Sequence, residues 1–215
     1  MESTISAENF WDRIAARYAR TPIADEQTYQ RKLAETQEYL RPDSRVLEFG
    51  CGTGSTAVHH AAQVAHIDAI DISQNMLDIG HQKAHEAALS NIHFTQADLV
   101  DFAALGDSYD AVLGLNVLHL VPHRRETIAE VARILKRGGV FVSSTACLGN
   151  SIFRFIKYVA PIGKRLGLLP EVYSFTEEDL LAEFSEAGFV IERRWTALTK
   201  KGKEGHSVFV IARKP

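Results

Sequence analysis

The chain has 215 residues, enough for one medium domain and too few for two full ones. With 46% hydrophobic and 24% charged residues it can bury a core and still present a polar surface. A formal net charge of −3 and a pI near 6.3 give no electrostatic ground for a nucleic-acid partner. The two cysteines, Cys51 and Cys147, make no disulfide framework and suit a reducing compartment, so a cytoplasmic location is expected. The opening MESTISAENFW is not a basic-then-apolar leader, and no uncharged apolar run is long enough for a bilayer.

In chain order, residues 6–20 place Phe10, Trp11, Ile14, Ala15 and Tyr18 at helical spacing. A second helix over 25–40 carries Tyr29, Leu33, Thr36, Gln37 and Leu40 on one face and stops at Pro42. The stretch RVLEFGCGTGSTA, residues 45–57, then organises the rest. A short apolar strand breaks into Gly50, Gly52 and Gly54, ahead of a helix over 54–65. Glycine there supplies positive φ and lets a ligand approach the backbone with no Cβ in the way. The helix that follows aims free N–H groups at the same place. The spacing predicts a nucleotide-type cofactor loop.

Strand and helix alternate afterwards. The pattern predicts a strand over 66–71 ending on Asp71 and a helix over 73–89 capped by Ser73. Strands over 92–97 and 109–116 follow, then a helix over 122–136, and Gly138-Gly139 introduce the strand VFVSST. Such alternation argues for a parallel sheet covered on both faces. Residues 151–169 are apolar and basic, interrupted by Pro161. A helix over 176–187 opens on Thr176 and Asp179, a capping box with Asp in place of the usual Glu, and stops at Gly188. Runs over 189–198 and 207–213, joined by KKGKEG, predict a closing antiparallel hairpin.

Which cofactor the loop takes is a separate question. Gly52-x-Gly54-x-x-Ala57 spells the dinucleotide fingerprint, and Asp71 follows at about the 20-residue distance of a ribose-binding acid. An NAD(P)-dependent reductase is therefore admissible. Four features tilt the reading elsewhere. Glu48 and Gly50 extend the loop to E-x-G-x-G-x-G, Asp71 ends the second strand, Asp98 follows the third within QADLVDF, and the terminal hairpin is foreign to a dinucleotide half-fold.

Together these resemble the class I S-adenosylmethionine-dependent methyltransferases, in particular the small-molecule branch with the ubiquinone and menaquinone biosynthesis enzymes. VLEFGCGTG, AIDISQNML, ADLVDF, YDAVLGLNVLHLV and LKRGGVFVSS are similar to that family's motifs, in its order. The resemblance implies a Rossmann-like, doubly wound, seven-stranded, mostly parallel sheet with a C-terminal antiparallel hairpin and helices on both faces. It implies a single domain over 1–215, with 1–42 as a helical lid and 146–175 as a substrate cap. It implies S-adenosyl-L-methionine as cofactor and S-adenosylhomocysteine as product. Gly50, Cys51 and Gly52 would then lie against the methionine part, with Glu48 holding the loop or reaching the amino group through water. Asp71 would bind ribose, Ile72 and Met76 would sandwich adenine, and Asp98 and Leu99 would meet its edge. Asn116 would line the methionine side near the transferred methyl. Tyr18 and Tyr29 would reach the methionine carboxylate from the N-terminal helices. Plain core packing for Ile72 and Met76, and a turn cap for Asp98, are the bland alternatives.

Methyl transfer from a sulfonium disperses charge, so positioning and exclusion of water carry most of the catalysis. A base is needed only where the acceptor must lose a proton. His119 is the candidate for that role, with His123 behind it. His81 and His85 have the i, i+4 spacing of metal ligands but lack a third, so no metal is expected. For 151–169 three uses stand: a lid over a hydrophobic acceptor, ordinary packing with long basic side chains, or an interfacial helix touching an anionic membrane. The expected partner is a small, apolar or lipid-like molecule. Monomer and homodimer both stay open, as does a non-catalytic S-adenosylmethionine binder.

Overall fold

The computed structural model describes residues 7–102, 106–149, 170–198 and 204–215. Its strands are β1 (Arg45–Phe49), β2 (His66–Asp71), β3 (Ile92–Gln96), β4 (Tyr109–Leu115), β5 (Leu135–Ala146), β6 (Val190–Leu198) and β7 (Glu204–Arg213). The helices are α1 (Ala7–Arg20), α2 (Glu26–Gln37), α3 (Ser55–Ala61), α4 (Gln74–Glu86), α5 (Arg124–Ile134) and α6 (Glu177–Glu186). The strands form one seven-stranded sheet in the order β3-β2-β1-β4-β5-β7-β6. All pairs from β3 to β5 are parallel, and β7 runs antiparallel between β5 and β6.

Two apolar layers hold the sheet. On one face Ile128, Val131 and Ile134 of α5 and Leu180 and Phe184 of α6 pack on Leu47, Phe49, Val112 and Phe141. On the other, Ala57 and Ala61 of α3 and Leu77 and Ala84 of α4 meet Val46, Ile67, Ala69 and Leu113. Central strands covered on both faces are buried at successive residues, 46–49 in β1, 67–70 in β2 and 111–114 in β4, with Glu48 and Asp68 enclosed among apolar neighbours. Helix ends follow their caps. Asp25 accepts from the Thr28 N–H, Ser73 from Met76, and Thr176 with Asp179 closes the reciprocal box.

Two strands start ahead of the sequence expectation: β7 at Glu204, three residues early and inside the expected connection, and β5. β5 starts at Leu135, three residues ahead of Gly138. Leu135 pairs with Tyr109 before a register shift, and Gly138, at φ 78°, absorbs the irregularity inside the strand. The glycine pair makes a bulge in a strand, where a strand start was expected.

The helix pair on the first face is joined by charge. Arg124 donates to both oxygens of the buried Glu183 at 2.6 Å, and its guanidinium lies 3.6 Å from the Phe175 ring centroid. Arg125 lies 3.4 Å from the same carboxylate and offsets only part of a loss. Arg124→Ala is therefore expected to cost about 3 kcal/mol, the low end for stripping one partner from a buried pair, in a urea melt.

Candidate active site

The crevice of this sheet lies where the order reverses, beyond the C-terminal ends of neighbouring strands β1 and β4. A cavity of about 360 Å³ opens there. The loop after β1 forms its floor. Gly50 and Gly52 have φ of 62° and 54°, in the left-handed region that costs other residues most. An added Cβ at Gly50 would come within 2.5 Å of Val117, whereas at Gly52 it would meet nothing within 4 Å. Gly50 thus permits packing, and Gly52 leaves its face bare to the cavity.

Asp71, the last residue of β2, ties that loop. Its Oδ2 accepts from the Gly52 N–H at 2.8 Å and its Oδ1 from the Ser73 N–H at 2.9 Å, with the Ile72 N–H as a third donor. Burial raises the carboxyl above its usual range, and the three backbone donors pull it back down. A carboxylate has lone pairs to spare after these bonds, and Asp71 lines the cavity.

Ser73 also fastens α1. Its hydroxyl donates to Asp12 Oδ1 at 2.6 Å, and the Asn75 N–H reaches the same oxygen at 3.1 Å. These bonds hold Trp11 and half-exposed Tyr18 of α1 on the cavity wall. Ile72, buried Met76 and buried Leu99 line the same cavity. Asp98 lines the cavity and caps its turn at once, because its Oδ1 accepts from the Asp101 N–H at 2.8 Å. The functional and the structural reading of Asp98 are thus compatible.

Asn116 follows β4 in the left-handed region, at φ 59°. Its N–H donates to the Ser144 carbonyl at 2.6 Å and its Oδ1 accepts from the Ser144 hydroxyl at 3.3 Å. Behind Ser144 the buried Lys32 of α2 donates to that hydroxyl at 2.5 Å. The chain on either side of Asn116 gives the wall apolar residues, Leu115, Val117, Leu120, Val121 and Pro122. His123, Thr127, Glu171 and Tyr173 add polar groups to this part of the wall.

Of the residues expected from sequence, Gly50, Gly52, Asp71, Ile72, Met76, Asp98, Leu99, Asn116 and Tyr18 all line one cavity. Glu48, Cys51, Tyr29 and His119 are not on its wall. Glu48 is buried in β1, accepts from the Ala57 N–H, and keeps Oε2 without a partner among the described residues. Burial pushes its carboxyl up to about 8. Cys51 is buried, and burial raises its thiol well above the usual range. Tyr29 hydrogen-bonds Thr56. His119 sits at 3.1 Å from Thr145 Oγ1, and burial brings its imidazole down to about 4. His119 lies off the cavity wall, whereas His123 is on it.

Lys32 and Trp11 escaped the sequence reading as site residues. The signal for Lys32 was a lysine three residues after Tyr29 and four before Thr36, on the buried face of α2. The 151–169 segment lies outside the described residues. Among the described residues, His66, Asp68 and His93 bring possible metal-ligand atoms within 4.8 Å of one another. Asp68 is already committed, to His66 at 2.9 Å, the Tyr109 hydroxyl at 2.8 Å and Arg45 at 3.0 Å. The guanidinium supplies the positive charge that an ion would bring.

The donor set fits an adenosyl amino-acid cofactor. Asp71 and Asp98 offer acceptors for sugar hydroxyls and a ring amine, Ile72, Met76 and Leu99 offer apolar faces, and Gly52 offers a bare backbone. The orphaned Glu48 Oε2 lies on β1, the strand that leads into this loop.

Comparison with known proteins agrees. Residues 46–139 match the family described as "Methyltransferase domain". The chain is 29% identical to the demethylmenaquinone methyltransferase of Listeria monocytogenes over 180 residues, covering 72% of this chain and 74% of that protein. It is 29% identical to the enzyme of the same name from Staphylococcus aureus over 174 residues, 70% of each. Among solved structures, the [4+2]-cyclase SpnF superposes with a TM-score of 0.79 at 18% identity, over 99% of this chain and 96% of that one. Geranyl diphosphate C-methyltransferase from Streptomyces coelicolor A3(2), solved with S-adenosyl-L-homocysteine, gives 0.69 at 17% identity over 88% and 79%.

Proposed function

Because the chain is a class I S-adenosylmethionine-dependent methyltransferase, we propose that its acceptor is a small, largely apolar ring compound of quinone-like size and polarity. The observation that carries this reading is the set of apolar lining residues flanking Asn116, namely Leu115, Val117, Leu120, Val121 and Pro122. The demethylmenaquinone methyltransferases among its relatives point the same way. No helix among the described residues is long and apolar enough to cross a membrane.

The cofactor, when bound, supplies a methyl group on a positive sulfonium. The chain's own residues do the rest. Asp71 would take the ribose hydroxyls, Ile72, Met76 and Leu99 would cover the adenine, and Asp98 would accept from its amino group. Glu48 secures the first turn of α3 through the Ala57 N–H, and from behind the cavity wall its unpaired oxygen would reach an ammonium only through water. Trp11 and Tyr18 exclude water from above, which strengthens each polar contact inside. His123, on the cavity wall next to Pro122, would accept the proton of a hydroxyl or carbon nucleophile.

The test is transfer of a labelled methyl group to reduced naphthoquinones and benzoquinones that lack a ring methyl, set against amine acceptors. Transfer to the ring compounds is expected. His123→Gln should lower kcat by about a hundredfold while S-adenosylhomocysteine affinity stays unchanged. Transfer confined to amines would sink the acceptor assignment.

A further inference from the structure

Lys32 is a buried cation whose one hydrogen-bond partner among the described residues is a neutral hydroxyl, that of Ser144 at 2.5 Å. An ammonium only donates, so Ser144 Oγ must accept from it. The serine proton is then left to point onward, and it goes to Asn116 Oδ1 at 3.3 Å. That choice decides which end of the Asn116 amide faces Ser144. Its oxygen belongs beside a hydroxyl polarised by an ammonium, and its NH₂ there would meet like partial charge. The NH₂ is therefore turned away, and Asn116 lines the cavity.

The backbone holds the relay in register. Leu115 pairs with Ser144 across β4 and β5, and the Asn116 N–H donates to the Ser144 carbonyl at 2.6 Å. Asn116 sits at φ 59°, a conformation that asparagine tolerates better than most residues. The charge that drives the relay comes from α2, which the Trp195 indole N–H fastens to β6 through Glu35 at 2.9 Å. Asp25, the α2 cap, is the acid whose charge reaches Lys32. Its carboxylate caps the helix through the Thr28 N–H at 3.0 Å.

We infer that Lys32 is a positioning residue that fixes the Asn116 amide through Ser144, so that this wall presents an N–H donor to an oxygen acceptor of a bound molecule. Two molecules supply such an oxygen in a methyltransferase site: the cofactor, through its carboxylate, and the acceptor, through a carbonyl or phenolate. The inference rests on the cofactor reading and adds to it a residue that touches neither molecule.

The experiment combines calorimetric titration of S-adenosylhomocysteine with steady-state kinetics on Lys32→Met, Ser144→Ala, Asn116→Ala and the pairwise combinations. Met keeps the stem of Lys32 and removes a desolvated charge, so its ligand-free melting temperature should match or exceed that of the wild type. Each single change should nonetheless cost about tenfold, the worth of one buried hydrogen bond. The loss falls in S-adenosylhomocysteine affinity if the carboxylate is the partner, and in KM for the acceptor if the carbonyl is. Lys32→Met combined with Asn116→Ala should cost no more than Asn116→Ala alone, since both break one chain. Full additivity, or an unchanged Lys32→Met enzyme, would overturn the relay and leave the cofactor reading standing. A wild type that does not take S-adenosylhomocysteine at all would overturn the cofactor reading itself.

Discussion

Asp71→Ala is expected to weaken S-adenosylhomocysteine binding by about a thousandfold, since two hydrogen bonds from hydroxyls to a buried charge are lost at about 2 kcal/mol each. The substitution acts twice. It removes the acceptor for the ribose, and it frees the N–H groups of Gly52 and Ser73 that now converge on the carboxylate. Asp71→Asn is a sharper probe. Its amide retains one oxygen but turns an NH₂ toward backbone donors that need an acceptor, so it should recover little of the affinity. Calorimetry with S-adenosylhomocysteine and NADH in parallel checks both points. Retention of wild-type affinity in either variant would remove Asp71 from the site. NADH binding that depends on Asp71, with no response to S-adenosylhomocysteine, would restore the dinucleotide reading.

The second large effect concerns stability and pH. Glu48 has a folded pKa of about 8 against an ordinary value of 4.5, because burial disfavours its charged form. The sign follows from proton linkage. Between these values the folded chain holds a proton that the unfolded chain has released. The stabilisation associated with this proton is complete below 4.5 and is lost as pH rises through 8. Glu48→Gln keeps the oxygen that accepts from the Ala57 N–H and cannot ionise. Relative to this variant, the wild type should lose roughly 4 kcal/mol of unfolding free energy between pH 4 and pH 9. Urea melts of both proteins at the two pH values give the difference directly. Parallel pH profiles for wild type and Glu48→Gln would show that the carboxyl is ionised in the fold.

The fold does not by itself decide the reaction. A superposition of 0.79 on a protein whose name is that of a cyclase shows that this sheet also occurs in a protein named for other chemistry. Methyl transfer is supported instead by the domain match and the curated relatives, with a site that fits the cofactor.

What the sequence alone determined is whatever a short window encodes. The apolar runs of β1, β2 and β4, the glycine loop, the Ser73 and Thr176 caps and the closing hairpin each rest on neighbours within a few residues. Asp71 was legible for the same reason, since an acid ending a buried strand beside that loop has a local context. The mostly parallel, doubly wound sheet followed from the strand–helix alternation and the ordered motifs, because parallel crossovers leave few alternatives. The tertiary structure alone decided the rest. Which histidine reaches the cavity depends on a few residues of turn after β4, and His123 does while His119 packs against Thr145. The glycine pair of β5 read as a strand start because a bulge exists only against its partner strand. Lys32 and Ser144 are 112 residues apart. No local pattern records that a lysine on a helix will be buried against a serine hydroxyl of a distant strand, because burial and direction are properties of the elements that close over it.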